Sequence, residues 1–236
     1  MKLEIGYNHS FEIRRETCVT NCPDNFTVLY LSDLHLNKFS QSIETRISTT
    51  IDELDPTIVC FGGDYVDSKK GLVHLNNLLS SISHRQNIFA IAGNHDYYYG
   101  IEEIKKIFIE NNAVWLENKS VSLNFRNTKI KIDGNFINKQ IDSYDFSILL
   151  LHKPKHTNQF SDNYNLAFAG HLHGSQFVLW KSENKLFPGK LFYKWNILKT
   201  KQNNCHYFIS KGLGDTLPIR YNCKRDLLFI QAINNN

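Results

Sequence analysis

Two histidines one residue apart, His171 and His173, lie between glycines in Gly170-His171-Leu172-His173-Gly174, directly after the apolar run Leu166-Ala167-Phe168-Ala169. Leu172 turns away, and the glycines let the backbone bend until both rings converge on one point. Converging imidazoles bind transition metals. Alone the pair says little, because the chain has 10 histidines in 236 residues. It gains weight because four apolar runs upstream end the same way. Phe26–Leu31 runs into Ser32-Asp33-Leu34-His35, and Thr57–Phe61 into Gly62-Gly63-Asp64. Ile88–Ala92 runs into Gly93-Asn94-His95-Asp96, and Phe146–Leu151 into His152-Lys153-Pro154. Each residue has an ordinary alternative use, as a turn residue, a helix cap or a loop histidine. Together they point to one site. His, Asp and Asn without cysteine suit Mn²⁺, Fe²⁺ or Zn²⁺. The set exceeds the needs of one ion, whereas two ions ~3.5–4 Å apart, bridged by a carboxylate, would use it.

The elements that must position these residues alternate in type. Lys2–Tyr7 reads as an edge strand with Ser10–Arg15 as its hairpin partner. Phe26–Leu31 is continuously apolar, as a strand buried on both faces is. Ile43, Ile47, Ile51 and Leu54 then mark an amphipathic helix that stops before Pro56. After Thr57–Phe61 come a helix over Leu72–Ile82, the strand Ile88–Ala92 and a short helix over Glu102–Glu110. This β-α-β-α-β-α order requires parallel strands joined by right-handed crossovers. From Val114 the pattern shifts to strands without long helices: Val114–Leu116, Ser120–Phe125, Lys129–Asp133, Phe146–Leu151, Phe177–Trp180, Cys205–Ser210 and Asp226–Ile233. The expected fold is an α/β single domain over residues 1–236, with two packed β-sheets flanked by helices, the first half parallel and the second mixed. Ligands gathered at carboxyl ends of strands lie where open α/β sheets build their sites.

Composition is that of a soluble globular chain, with 42% hydrophobic and 21% charged residues. A net charge of +4 is compatible with anionic substrates but far from a dedicated nucleic-acid binder. Five cysteines without framework spacing indicate free thiols in a reducing compartment, and Cys18 and Cys22 read as structural. With no visible signal peptide or membrane-spanning run, a cytoplasmic location is expected.

Asp33-x-His35, Gly62-Gly63-Asp64, Gly93-Asn94-His95-Asp96, His152 and Gly170-His171-x-His173, in this order, resemble the calcineurin-like metallophosphoesterases. The stretch from Ser210-Lys211-Gly212-Leu213-Gly214-Asp215-Thr216 through Pro218-Ile219-Arg220 is similar to a bacterial branch. That branch is often membrane-associated and includes cell-envelope phosphodiesterases and UDP-diacylglucosamine hydrolases. The resemblance implies a four-layer α/β/β/α sandwich and two divalent ions. It assigns Asp33, His35 and His173 to one ion, and Asn94, His152 and His171 to the other. Asp64 would bridge them. It implies that His95 faces the scissile phosphate, oriented by Asp96, and that a metal-bridging hydroxide attacks a phosphodiester or pyrophosphate bond. Arg220 and Lys153 are candidates for holding phosphate oxygens. Departures lie outside the ligands: Ser175, Lys211, Arg225-Asp226 and Gly134-Asn135 stand where many relatives carry Gly, Arg, Pro-Glu and an aspartate pair. These leave the substrate open. A nuclease is the rival enzyme reading, opposed by the modest charge. A non-catalytic scaffold is opposed by the complete ligand set.

Two further stretches carry expectations. Tyr97-Tyr98-Tyr99 either walls the site or packs the turn, and packing is favoured. Residues 179–201 mix Lys181, Lys185, Lys190, Lys194, Lys199 and Lys201 with Trp180, Phe187, Phe192, Tyr193 and Trp195. That mixture suits peripheral contact with an anionic membrane.

Overall fold

The computed structural model describes residues 2–7, 10–138 and 144–235; His9, expected to be structural, lies outside them. The chain begins with β1 (Leu3–Ile5), β2 (Phe11–Thr20) and β3 (Phe26–Leu31). Next come α1 (Ile43–Leu54), β4 (Ile58–Phe61), α2 (Lys69–Ile82) and β5 (Ile88–Ala90). Two short helices follow, α3 (Asn94–Tyr99) and α4 (Ile101–Glu110). Strands β6 (Val114–Trp115), β7 (Lys119–Phe125), β8 (Thr128–Gly134), β9 (Phe146–Leu150) and β10 (Leu166–Ala169) come next. The remainder comprises β11 (Val178–Ser182), β12 (Lys185–Pro188), α5 (Gly189–Phe192), β13 (Lys199–Gln202), β14 (Cys205–Ile209), β15 (Ile219–Tyr221) and β16 (Arg225–Asn234). No helix among the described residues is long and apolar enough to cross a membrane.

One six-stranded sheet has the order β2-β16-β3-β4-β5-β6, the other β13-β14-β10-β9-β8-β7. Both are mixed. In the first, β3 through β6 are parallel while β16 runs antiparallel to β3. In the second, β8, β9, β10 and β14 are parallel and the edges β7 and β13 are antiparallel.

Period-two alternation sends Val28 and Tyr30 of β3 to one face, and Leu29 and Leu31 to the other. The first pair meets Ile148, Leu150, Leu166 and Phe168 of the second sheet in the core between the sheets. The second pair packs under Ile47 and Ile51 of α1, Leu75 and Leu79 of α2, and Phe108 of α4. On the outer face of the second sheet, Ala167, Tyr207 and Ile209 are covered by Phe160, Tyr164 and Trp195. Those residues come from irregular chain and one short 3-10 turn; among the described residues no long helix covers this outer face.

The expected hairpin of the first two strands does not form. β1 pairs antiparallel with β15, and β2 lies parallel beside β16. Glu4 is the inward residue of β1, while Leu3 and Ile5 are exposed. The cause is electrostatic: buried Arg225 places its Nη1 3.0 Å from Glu4 Oε2 and needs the carboxylate there.

Candidate metal centre

The loops after β3, β4, β5, β9 and β10 bring all seven expected ligands together. Ligand atoms of Asp33, His35 and His173 lie within 4.8 Å of one another, and so do those of Asp64, His152 and His171. Asn94 joins the second group, its Oδ1 being 3.1 Å from His152 Nε2. Asp64 faces both groups. Its Oδ2 is 3.2 Å from His152 Nε2 and 3.9 Å from His35 Nε2.

The backbone yields to this convergence. Asp33 (φ 54°), His35 (φ 44°), Asp64 (φ 57°), His171 (φ 71°) and His173 (φ 50°) are all left-handed. Such conformations cost about 1–3 kcal/mol each for side-chain-bearing residues and persist where surrounding structure enforces them. At Gly93 and Gly170 the reason for glycine is steric. A Cβ there would overlap the carboxylates of Asp64 and Asp33 respectively.

Hydrogen bonds fix which atoms the ligands present. His152 Nδ1 donates to Gly62 O at 2.9 Å, and His35 Nδ1 to Asp67 Oδ1 at 2.9 Å, which leaves each Nε2 with a lone pair toward the centre. Asp33 accepts from Ser32 Oγ (2.6 Å) and from the His171 backbone N–H (3.0 Å to Oδ1). His35 Nε2 and His173 Nε2 stand 3.1 Å apart. The His35 Nε2 lone pair, the His173 ring and the fully buried Asp33 carboxylate thus enclose a place that a proton or a cation must fill. The donor set therefore fits divalent metal.

Charges point the same way. Burial works to raise the Asp64 pKa, but the hydrogen bond and charge of His152, then His35, outweigh it and bring it to about 2. Burial also opposes protonation of His152, yet Asp64 and Asp33 lift its pKa to about 9. His173 is held well below the usual imidazole range by burial, then by His35 and Arg220. His171 falls to about 4 through burial, then His152 and Lys153. His171 and His173 are thus held neutral, the form that binds metal, whereas Asp64 and Asp33 hold on His152 a proton that a bound cation would displace.

His95 stands at the rim. Its ring lies edge-on to His35 at 4.7 Å, and its backbone N–H donates to Asp64 Oδ1 at 2.8 Å. The expectation that Asp96 orients it is corrected. Asp96 is fully buried and accepts from the backbone N–H groups of Gly93 (2.7 Å), Tyr65 (2.8 Å) and Asp64 (2.9 Å), clamping two ligand loops together. Asp67 holds the ring instead, with Oδ1 3.0 Å from His95 Nδ1. Sequence reasoning passed over Asp67, although it lies three residues after Asp64.

Arg220 is also corrected. It is buried and spent on structure, with Nε on Asp215, Nη1 on Cys223 O and Nη2 on the carbonyls of Lys211 and Gly214. Its Nη2 lies 3.4 Å from His173 Nδ1, behind the ring, so none of its donors is left for a substrate phosphate. Lys153 is exposed beside His152, close enough for its charge to act on His171. The favoured packing of Tyr97, Tyr98 and Tyr99 is not what forms either: all three are exposed.

Fold and site together define a metal-dependent phosphoesterase. The profile of calcineurin-like phosphoesterases matches residues 26–211, and the chain belongs to that family. It is 28% identical over 230 residues to the uncharacterised metallophosphoesterase YkoQ of Bacillus subtilis, covering 86% of this chain and 82% of that protein. A shorter match, 34% over 73 residues, covers 30% of this chain and 22% of the UDP-2,3-diacylglucosamine pyrophosphatase LpxG of Chlamydia muridarum. Among solved structures, the calcineurin-like phosphoesterase YfkN of B. subtilis superposes with a TM-score of 0.51 at 14% identity. That superposition covers 80% of this chain and 82% of that one and speaks to fold alone.

Proposed function

We propose that the protein hydrolyses a phosphodiester or pyrophosphate bond with two divalent ions, Mn²⁺, Fe²⁺ or Zn²⁺. Asp33, His35 and His173 would hold one, Asn94, His152 and His171 the other, and Asp64 both. The observation that carries this reading is the Asp64 carboxylate, turned at once toward His152 Nε2 (3.2 Å) and His35 Nε2 (3.9 Å). Bound divalent ions supply acidity to water and neutralise phosphoryl oxygens, two obstacles that make phosphodiesters poor electrophiles.

The chain's own residues do the rest. With Nδ1 engaged by Asp67, His95 presents Nε2 to the leaving oxygen and donates its proton there. The Asp67 carboxylate accepts from Nδ1 of both rings, orienting His35 as a ligand and stabilising positive charge on His95. Lys153 offers a charge to a non-reacting oxygen of the substrate.

A lipid-linked substrate met at an anionic membrane is supported by residues 179–201. There the β11–β12 hairpin and α5 hold Leu179, Trp180, Leu191, Phe192 and Tyr193 exposed among lysines. The general test is a Mn²⁺-supplemented screen of bis-p-nitrophenyl phosphate, nucleotide diphosphate sugars, cyclic nucleotides and DNA. Turnover that chelator abolishes and Mn²⁺ restores is the expected result. Absence of any metal-dependent hydrolysis would defeat the reading.

A further inference from the structure

Two side chains that the proposed chemistry does not use, Glu117 and Asn135, converge on the loops that carry Asn94 and His152. Glu117 follows β6 of the first sheet, and Asn135 follows β8 of the second. The two segments meet, the Asn118 N–H donating to Gly134 O at 2.9 Å.

Their hydrogen bonds interlock. Glu117 Oε2 accepts from the Ala92 N–H and from Asn135 Nδ2, both at 2.8 Å, and Oε1 accepts from the Tyr97 hydroxyl at 3.2 Å. Asn135 Nδ2 gives its other hydrogen to Ala92 O at 2.8 Å, while Oδ1 accepts the His152 N–H at 2.9 Å. This pattern leaves one orientation for the amide. A flip would set its NH2 against the His152 N–H, and its oxygen against a carboxylate and a carbonyl.

These bonds end on the backbone of the ligand loops. Both polar groups of Ala92 are taken, and Asp96 holds the next N–H, that of Gly93, so Asn94 leaves a fixed strand end. His152 is fixed by its N–H on Asn135 and by Nδ1 on Gly62 O. Its carbonyl accepts the Gly170 N–H at 3.0 Å, which ties in the His171 loop. Asn94 Oδ1 and His152 Nε2 are thereby held 3.1 Å apart. The other ligand group rests on different supports: Ser32 at Asp33, Asp67 at His35 and Arg220 behind His173. Residues that aim ligands without coordinating the ion themselves set metal affinity.

Resting on the two-ion reading, we infer that Glu117 and Asn135 are positioning residues for the ion of Asn94, His152 and His171 alone. Glu117 orients the Asn135 amide, and Asn135 sets the spacing of the Asn94 and His152 loops. In this role neither side chain coordinates metal or meets substrate.

The test is equilibrium dialysis of the full, Mn²⁺-loaded chain against falling free Mn²⁺, with electron paramagnetic resonance to tell isolated from exchange-coupled ions. The wild type should hold about two equivalents with the signal of a coupled pair. Glu117→Ala should keep one equivalent at wild-type strength and bind the other about 10–100-fold more weakly, so that the isolated-ion signal appears at higher free Mn²⁺. Glu117→Gln should restore the weakened affinity, because its carbonyl can accept both N–H donors at Oε2 while its NH2 donates to the Tyr97 hydroxyl. Asn135→Asp tolerates the left-handed backbone (φ 57°) but lacks the Nδ2 donor, so it should weaken the same ion; it serves where Glu117→Ala does not fold. Unchanged affinity for both ions in these variants, or equal weakening of both, would overturn the inference and leave the two-ion reading standing. A wild type that holds a single equivalent would remove that reading and this inference with it.

Discussion

At the scale of single residues, the ligand types were legible because the chemistry constrains them: a hard-to-borderline cation accepts few side chains, and each stands at the end of an apolar run. Their supporting residues were harder to read. Asp96 adjoins His95 in sequence, yet its buried carboxylate serves three backbone N–H groups, while Asp67 reaches the ring from another loop. Only the left-handed backbone at Asp64 and its neighbours decides which carboxylate faces which ring, and a sequence does not print φ. For His95 acting as proton donor, His95→Asn should lower turnover about 10²–10⁴-fold with metal content intact, and less for p-nitrophenolate than for alkoxide leaving groups. Loss of metal in that variant would make His95 a ligand instead. The cysteines give a pH-dependent expectation. All five are free and buried, and burial pushes Cys18 and Cys205 up to about 12 and raises Cys60 and Cys223. Thiolate is the reactive form, so at pH 8 these four should ignore a disulfide reagent in the native protein and all five react after denaturation. Rapid native labelling at pH 8 of any of the four would contradict that.

At the scale of elements, α1, α2, α4 and the central strands were legible because their apolar periods are long and unmixed. The errors fell where an element is short or its partner distant. β1 is three residues long, and its choice of β15 over β2 depends on Arg225, more than 200 residues away. α3 was missed because its helical turn is hidden inside a ligand motif. The basic-aromatic stretch resolves into two populations. Trp195 packs against Tyr207 at 5.6 Å, and Trp180 stacks on Phe187 at 5.0 Å. Leu191 and Phe192, 68% and 78% exposed, project from α5 beside Lys190 and Lys194. The proposed membrane contact would therefore rest on α5 more than on Trp195. Flotation with anionic vesicles at low salt should recover the protein, and neutral vesicles should not. Replacing Leu191 and Phe192 with serine should abolish recovery, since each lysine contributes only ~1 kcal/mol at such a surface. Recovery that is the same for neutral and anionic vesicles, or unaffected by the serine variant, would refute the contact.

At the scale of the molecule, two sheets pack so that five loops from both of them meet at one edge, and this is what makes a single site from fragments spread over Asp33 to His173. The pairing of sheets was legible from the change at Val114, where alternating strands and helices give way to strands without long helices. The role of the C-terminal segment was not. Arg220, Asp215, Arg225 and Glu4 form a buried ionic chain that locks the final strands behind His173, and nothing in local spacing distinguishes such an arginine from a substrate-facing one. Asp64 is where the whole arrangement converges, its Oδ2 facing a histidine of each ligand group. The decisive measurement is therefore elemental analysis of protein reconstituted with Mn²⁺ and desalted, for wild type and Asp64→Ala side by side. The wild type should hold about two equivalents, and Asp64→Ala should lose most of both along with turnover. One equivalent in the wild type, or two retained by an active Asp64→Ala, would contradict a shared two-ion centre.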